Sequence, residues 1–334
     1  TPGHTMESST FLLIDENGKD HAIFSGDTLF LGDVGRPDLA QKAASMTQEE
    51  LAGTLYDSLR NKIMTLADDV IVYPGHGAGS ACGKNMSSET IGTLGEQKET
   101  NYALRANMTK EEFIDEVLDG ITPPPQYFPK NAMLNKTGYK SIDDIMNNSV
   151  KALSLSKFEN IMNDVLILDT RSQNDFVEGH IPNSMFIGIN GSFAVWVGAL
   201  IEDLHQKIII IADEGKEEEV VLRLARVGYD NCLGYLDGGF ETWKKAGKEI
   251  DTIESISASS LKERLNSNNQ IVDVRKPSEY SSEHVEGATS FPLDYINNHL
   301  NDLDNEKEHL IHCKSGYRSV IAASILKKHG YKNV

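Results

Sequence analysis

"VLILDTRSQNDFVEGHIPNS" (165–184) and "NQIVDVRKPSEYSSEHVEGATS" (269–290) are two versions of one pattern. Asp169 matches Asp273, Arg171 matches Arg275, Phe176 matches Tyr280 and His180 matches His284, each at an offset of 104 residues. Working outward, a helical stretch precedes each copy: "SLSKFENIMND" (154–164) and "SASSLKERLNS" (257–267). An apolar, β-branched strand follows each, "KIIIIAD" (207–213) and "EHLIHC" (308–313), and then a helix ending near Gly228-Tyr229 or Gly330-Tyr331. Short β-branched strands alternating with helices predict an α/β unit with a parallel sheet. Two related domains are therefore expected, at 150–250 and 253–334. Copy one runs on through "LGYLDGGFETWKKAG" (233–247), whereas copy two stops at Val334, so a last strand and helix are expected to be missing from copy two.

Residues 1–121 have a different texture. "STFLLIDE" (9–16) and "DHAIFSGD" (20–27) flank Asn17-Gly18, a strong hairpin signal. "TQEELAGTLYDSLRNKIMTLA" (47–67) reads as an amphipathic helix, and "DVIVYPGHG" (69–77) as a strand ending in a loop. Between the two regions, "TPPPQYFPKNAMLNKTG" (122–138) holds four prolines, which block regular structure. Residues 122–149 are read as a linker that hugs a surface, because Tyr127, Phe128 and Met133 would otherwise be exposed.

Composition narrows the function classes. With 39% apolar and 25% charged residues, the chain is ordinary for a globular protein. No apolar run approaches the ~20 residues of a membrane helix. A net charge of -18 argues against nucleic acid or an anionic membrane surface as partner. Three widely spaced cysteines make no disulfide framework and suit a reducing, cytoplasmic setting. A homo-oligomer is expected.

"LIHCKSGYRSV" (310–320) is the sharpest chemical motif. A strand delivers Cys313 to a loop, and a helix follows. The loop and helix N-terminus can aim backbone N–H groups at the sulfur, and with Lys314 and Arg318 nearby the thiol pKa should fall. Gly316 permits the tight curl. Cysteine phosphatases place one residue more between Cys and Arg; the smaller cradle here suits a terminal sulfur atom better than a phosphate. The stretch closely resembles the active loop of the rhodanese sulfurtransferases, and the resemblance covers both repeats. It implies that Cys313 takes up sulfane sulfur as a persulfide, within the loop Lys314, Ser315, Gly316, Tyr317, Arg318 and Ser319. Copy one departs from this pattern: "ADEGKEEEV" (212–220) has no cysteine and a run of acidic side chains, so copy one is expected to be inactive and structural. Cys232 is expected in the core.

Three glycine-flanked positions in the first hundred residues suggest a metal site: His4 in "TPGHT" (1–5), Asp27 in "FSGDTLFLGDVGRPDL" (24–39) and His76 in "VYPGHGAGS" (72–80). Imidazoles plus a carboxylate suit Zn or Fe(II). The order H…D…H resembles the later motifs of the metallo-β-lactamase fold. The first motif of that fold, H-x-H-x-D-H, does not occur here and is expected upstream of a chain truncated at both ends. "GDTLFLGDVGRPDLA" (26–40), "PGHGAGSACGK" (74–84) and "TLGEQKETNYALR" (93–105) resemble the persulfide dioxygenase subfamily. That resemblance implies one Fe(II) per chain, held by His4, Asp27 and a further histidine, with O2 as co-substrate and His76 in a supporting or second-metal position. Arg36 is a candidate to bind an acidic group of the thiol carrier, or else pairs with Asp33 or Asp38. Cys82, six residues after His76, could sit near the site or pack beneath it, and packing is the expectation.

The expected fold is thus α/β multidomain: the C-terminal half of a metallo-β-lactamase αββα fold, followed by two rhodanese-like domains with parallel sheets. The resemblance to bacterial persulfide dioxygenase–rhodanese fusions implies a sulfide-detoxifying enzyme. It would oxidise a small-thiol persulfide to sulfite and form thiosulfate through Cys313. The alternatives are a dinuclear-zinc, glyoxalase-II-like thioester hydrolase, and a sulfur-carrier or sensing protein with a scaffold metallo-domain.

Overall fold

A computed structural model of the chain describes every residue except 42–44, 81, 122–123, 125–127, 129–130, 132–137, 139 and 265–268. The chain divides into two compact units, Thr1–Pro124 and Pro125–Val334.

The first unit is built on a four-stranded sheet of β1 (Phe11–Ile14), β2 (Asp20–Gly26), β3 (Ile71–Pro74) and β4 (Gly92–Thr93), in that spatial order. The Asn17-Gly18 signal produces the expected antiparallel hairpin of β1 and β2, with Gly18 at φ 78°. β2 then pairs in parallel with β3, so their C-terminal ends emerge side by side. Three helices carry a T-x-x-E start: α1 (Gln48–Ser58), α2 (Leu94–Thr100) and α3 (Lys110–Leu118). In each, the threonine and glutamate form a complete capping box, which satisfies two otherwise orphaned backbone donors. The helix predicted from 47 is α-helical through Ser58 and continues as a π-helical segment to Ile63. Ile23 and Val72 from the sheet meet Leu55, Leu59, Leu94 and Phe113 in one buried core. On β1 the apolar side chains Phe11, Leu13 and Ile14 are exposed.

The second unit contains both repeats. Copy one forms a five-stranded parallel sheet, ordered β5 (Ala152–Leu153), β9 (Cys232–Leu236), β8 (Ile208–Ile211), β6 (Leu166–Asp169) and β7 (Met185–Phe186). Copy two forms a three-stranded parallel sheet, ordered β11 (Thr289–Ser290), β10 (Asn269–Asp273) and β12 (Glu308–His312). The registers correspond: Asp169 pairs with Ile211, and Asp273 pairs with His312. Ala212 and Cys313, the next residues along, therefore occupy equivalent positions.

The conserved spacing of the two copies has a physical cause. Arg171 grips Asp169 through Nε and Nη2 and also donates from Nη2 to the Gly179 carbonyl, 2.8 Å away. Arg275 does the same with Asp273 and the Glu283 carbonyl. His180 stacks on Phe176, and His284 on Tyr280, with ring centroids 3.9 Å apart in each case. These contacts fasten each strand end to the helix that follows it.

The copies share one core. Leu168, Phe186 and Ile210 of copy one cluster with Val272, Ile321 and Leu326 of copy two. The long helix α13 (Tyr317–Lys328) enters this interface, where the Phe186 N–H donates to Ser324 Oγ at 3.0 Å. (Helices α4 to α12 lie at 142–149, 155–161, 173–178, 193–200, 217–226, 239–245, 258–264, 277–282 and 296–299.) The segment read as a linker differs from that reading in its second half. There α4 forms, capped by Ser141, and packs against α8 and β9. Phe128 and Met146 pack against the shared core, while Tyr127 and Met133 lie outside the described residues. Cys232 is buried in β9, as expected. Among the described residues, no helix is long and apolar enough to cross a membrane.

Candidate functional sites

The loop Cys313–Gly316 joins β12 to α13. Gly316 sits at φ 87°, a left-handed conformation that glycine adopts at no steric cost. This curl turns the N–H groups of Ser315, Gly316 and Ser319 toward the sulfur. Burial alone would push the Cys313 thiol up; these hydrogen bonds, with the Ser319 hydroxyl 3.7 Å from Sγ, outweigh it and hold the thiol below its ordinary value.

The direction matches expectation, but the cause differs in part. Arg318 is committed to Glu279, with Nη1 and Nη2 at 2.6 and 2.9 Å from its carboxylate oxygens. That pairing holds the Glu279 carboxyl down at about 2. Lys314 is exposed. The loop therefore stabilises the thiolate chiefly with oriented backbone dipoles rather than with the flanking cations. Sequence reasoning missed Glu279, although its counterpart in copy one, Asp175, follows directly from the 104-residue offset.

Copy one retains the loop shape without the nucleophile. Gly215 has φ 80°, matching Gly316, and Ala212 stands where copy two has Cys313. Glu217, at the position of Arg318, opens α8 together with Glu218 and Glu219. An anionic sulfur there would face like charges.

In the first unit, the ends of β2 and β3 bring together His4, Asp27 and His76. His4 Nε2 lies 3.3 Å from Asp27 Oδ2, and His76 Nδ1 lies 2.9 Å from Asp27 Oδ1. The flanking glycines are needed for space. A Cβ on Gly75 would fall 2.6 Å from Asp27 Oδ1, and one on Gly35 would fall 1.9 Å from the Asp27 carbonyl oxygen and 2.9 Å from His4 Nδ1. His4 Nδ1 lies 2.9 Å from the Arg36 carbonyl oxygen, which can only accept, so Nδ1 carries the hydrogen and Nε2 presents its lone pair toward Asp27. Burial pushes the His4 imidazole down, against the opposing pull of Asp27, which favours the neutral, ligating form. His76 remains about half exposed.

Two expectations change here. Cys82 does not pack beneath the site: its sulfur and ligand atoms of His4 and Asp27 all lie within 4.8 Å of one another. The Arg36 N–H donates to the Cys82 carbonyl at 2.9 Å, which ties the Cys82 loop to the site. Burial pushes the Cys82 thiol up. Arg36 is buried and bound to Asp38 at 3.0 and 2.7 Å, the salt-bridge alternative rather than an open carrier contact. Asp33 instead accepts from the backbone N–H groups of Lys84 and Asn85 and from the Tyr102 hydroxyl. A neutral imidazole fixed by a carbonyl and a carboxylate beside it are donors that fit a divalent transition metal, and the Cys82 thiol lies close to both.

Comparison with known proteins finds relatives of both units. The family model for the rhodanese-like domain matches residues 154–246 and 257–334, together more than half of the chain. Mouse "Persulfide dioxygenase ETHE1, mitochondrial" is 33% identical over 127 residues, which is 38% of this chain and 41% of that protein. YrkF of Bacillus subtilis (strain 168), whose name describes it as a candidate sulfur carrier protein, is 34% identical over 27% of this chain and 49% of its own length. The chain thus spans about half or less of these curated relatives. The crystal structure of a metallo-beta-lactamase from Staphylococcus aureus subsp. aureus COL shares 31% identity at a TM-score of 0.58, over 70% of this chain and 64% of that one.

Proposed function

This chain belongs to the rhodanese-like family, as a fusion of two such domains with a metallo-β-lactamase-fold unit related to persulfide dioxygenases, and we propose that it is a persulfide dioxygenase–sulfurtransferase acting in sulfide detoxification. The observation that carries the sulfurtransferase half is the Cys313 loop, where backbone N–H groups converge on the one cysteine at a strand-to-helix turn. The Cys313 thiolate attacks the outer sulfur of a small-thiol persulfide, and the carrier leaves as thiol: RSSH plus Cys-S⁻ gives RS⁻ plus Cys-SSH. Sulfite then takes the outer sulfur from the deprotonated cysteine persulfide, giving thiosulfate and restoring the thiolate. The same N–H groups that hold the thiolate hold the persulfide anion, so the loop serves both half-reactions.

The metallo unit would supply the sulfite. His4 and Asp27 would hold an Fe(II) ion, which when bound provides the open positions and electrons needed to activate O2. The overall change balances as RSSH + O2 + H2O giving RSH + sulfite + 2H⁺. His4 contributes a ligand whose tautomer the Arg36 carbonyl fixes, and His76 orients Asp27 through its Oδ1. One geometric feature favours a second reading, a two-metal thioester hydrolase. Asp27 offers one oxygen to each imidazole, as a bridging carboxylate would. Metal analysis separates them: one iron per chain supports the dioxygenase, two zinc ions the hydrolase.

Thiosulfate formation tests the coupled scheme. The iron-loaded full-length protein, given glutathione persulfide and sulfite, should release thiosulfate, and Cys313→Ser should release none above buffer. Equal thiosulfate from the two proteins would remove Cys313 from the reaction.

A further inference from the structure

Tyr317 follows Gly316 in the Cys313 loop, yet its side chain is held by the other copy. Its hydroxyl donates to the Gly188 carbonyl at 2.6 Å. Its ring meets Phe186 edge-on, with centroids 5.8 Å apart at 69°. The space it fills exists because of two glycines. A Cβ on Gly191 would lie 2.2 Å from Tyr317 Cζ and 2.5 Å from its hydroxyl oxygen, and one on Gly188 would lie 3.2 Å from Cε2. Neither glycine has a positive φ, so room for the ring, not backbone conformation, is what glycine supplies at 191.

A second arm reaches the same loop. Gln173 of copy one donates from Nε2 to the Ser315 carbonyl oxygen at 3.3 Å. That oxygen shares a rigid trans peptide plane with the Gly316 N–H, and the two point in opposite directions. Holding the oxygen on one side therefore aims the N–H to the other, where Cys313 Sγ lies. The two arms grip residues 315 and 317, on either side of the Gly316 curl. Copy two has Pro277 at the position of Gln173, and copy one has Lys216 at the position of Tyr317, so the device works in one direction only.

We propose that copy one, whose loop lacks the cysteine, is a positioning domain for sulfur transfer: the Gly188–Gly191 socket holds Tyr317, Gln173 holds the Ser315 carbonyl, and together they keep the curl that aims the loop N–H groups at Cys313. The proposal rests on the reading of Cys313 as the sulfur acceptor. Gln173, Gly188 and Gly191 touch neither sulfur nor substrate; they act through the loop.

The test is the pH profile of Cys313 alkylation by iodoacetamide, followed by mass spectrometry of the Cys313 peptide in the full-length protein. Gly191→Ala should move the midpoint upward by about one pH unit, equivalent to roughly tenfold less thiolate at neutral pH. It should lower kcat for transfer from glutathione persulfide more than it raises KM. Gln173→Leu, at a half-buried position, should give a smaller shift in the same direction and covers the case in which Gly191→Ala does not fold. Profiles for Gln173→Leu and a folded Gly191→Ala that overlay the parent would overturn the positioning role while leaving Cys313 as acceptor. A parent Cys313 that titrates like an ordinary thiol would overturn both.

Discussion

Arg318 and Glu279 face each other as a bidentate ion pair within copy two, at 2.6 and 2.9 Å. At the equivalent positions of copy one, both residues are acidic: Glu217 and Asp175. The nucleophile and the pair beside it are thus both absent from the same copy. In copy two the pair neutralises the loop's guanidinium, so the field at Cys313 is set mainly by backbone dipoles.

The pair also makes acid stability predictable. The Glu279 carboxyl sits at about 2 in the folded protein against an ordinary 4.5. A carboxyl held down in the folded state contributes stability that is fully present above its unfolded value and is lost as pH falls through the folded one. The window therefore runs from about 4.5 down to about 2. Glu279 is about one-third exposed, so the contribution is on the order of 1 kcal/mol or less. Urea unfolding at about pH 6 and about pH 3 should show the parent losing more stability than Glu279→Gln between the two. Equal losses would mean that solvent screens the pair out.

Installing a thiol in copy one tests what the loop needs besides shape. Ala212→Cys, made in a Cys313→Ser background, places sulfur beside the Gly215 curl and ahead of Glu217, Glu218 and Glu219. Those charges oppose a thiolate, and the site is buried, with Ala212 5% exposed. The new cysteine should alkylate at least about tenfold more slowly than Cys313 in the parent at neutral pH. A matching rate would show that the curl alone suffices.

Metal content should separate the roles of four side chains. Asp27→Asn and His4→Ala should each lower bound iron well below one per chain. His76→Ala and Cys82→Ser should retain most of it while activity falls. Loss of iron in Cys82→Ser would add the thiol to the ligand set; loss of one of two metals in His76→Ala would favour the hydrolase reading.

Much of this architecture is legible in the sequence, for identifiable reasons. The repeat is visible because Asp169–Arg171 and Asp273–Arg275 fasten a strand end to a carbonyl eight residues on from the arginine, which fixes spacing as well as residue type. The three T-x-x-E helix starts are local and readable. His4, Asp27 and His76 could be grouped because each stands beside a glycine at a strand end or turn. What stayed hidden depends on partners far apart in the chain. Gly191 looks like any loop glycine until Tyr317 is seen in its space. Cys82 lies in a run of small residues that gives no direction to its side chain. Arg36 could have faced a substrate or a neighbour, and only packing shows that Asp38 takes it.

Oxygen uptake tests the central claim most directly. The iron-loaded full-length protein should consume O2 when given glutathione persulfide and yield one sulfite, free or captured as thiosulfate, for each O2 taken up. Asp27→Asn should abolish the uptake, whereas Cys313→Ser should keep it and lose only thiosulfate formation. Uptake no greater than that of a metal-free control would contradict the account.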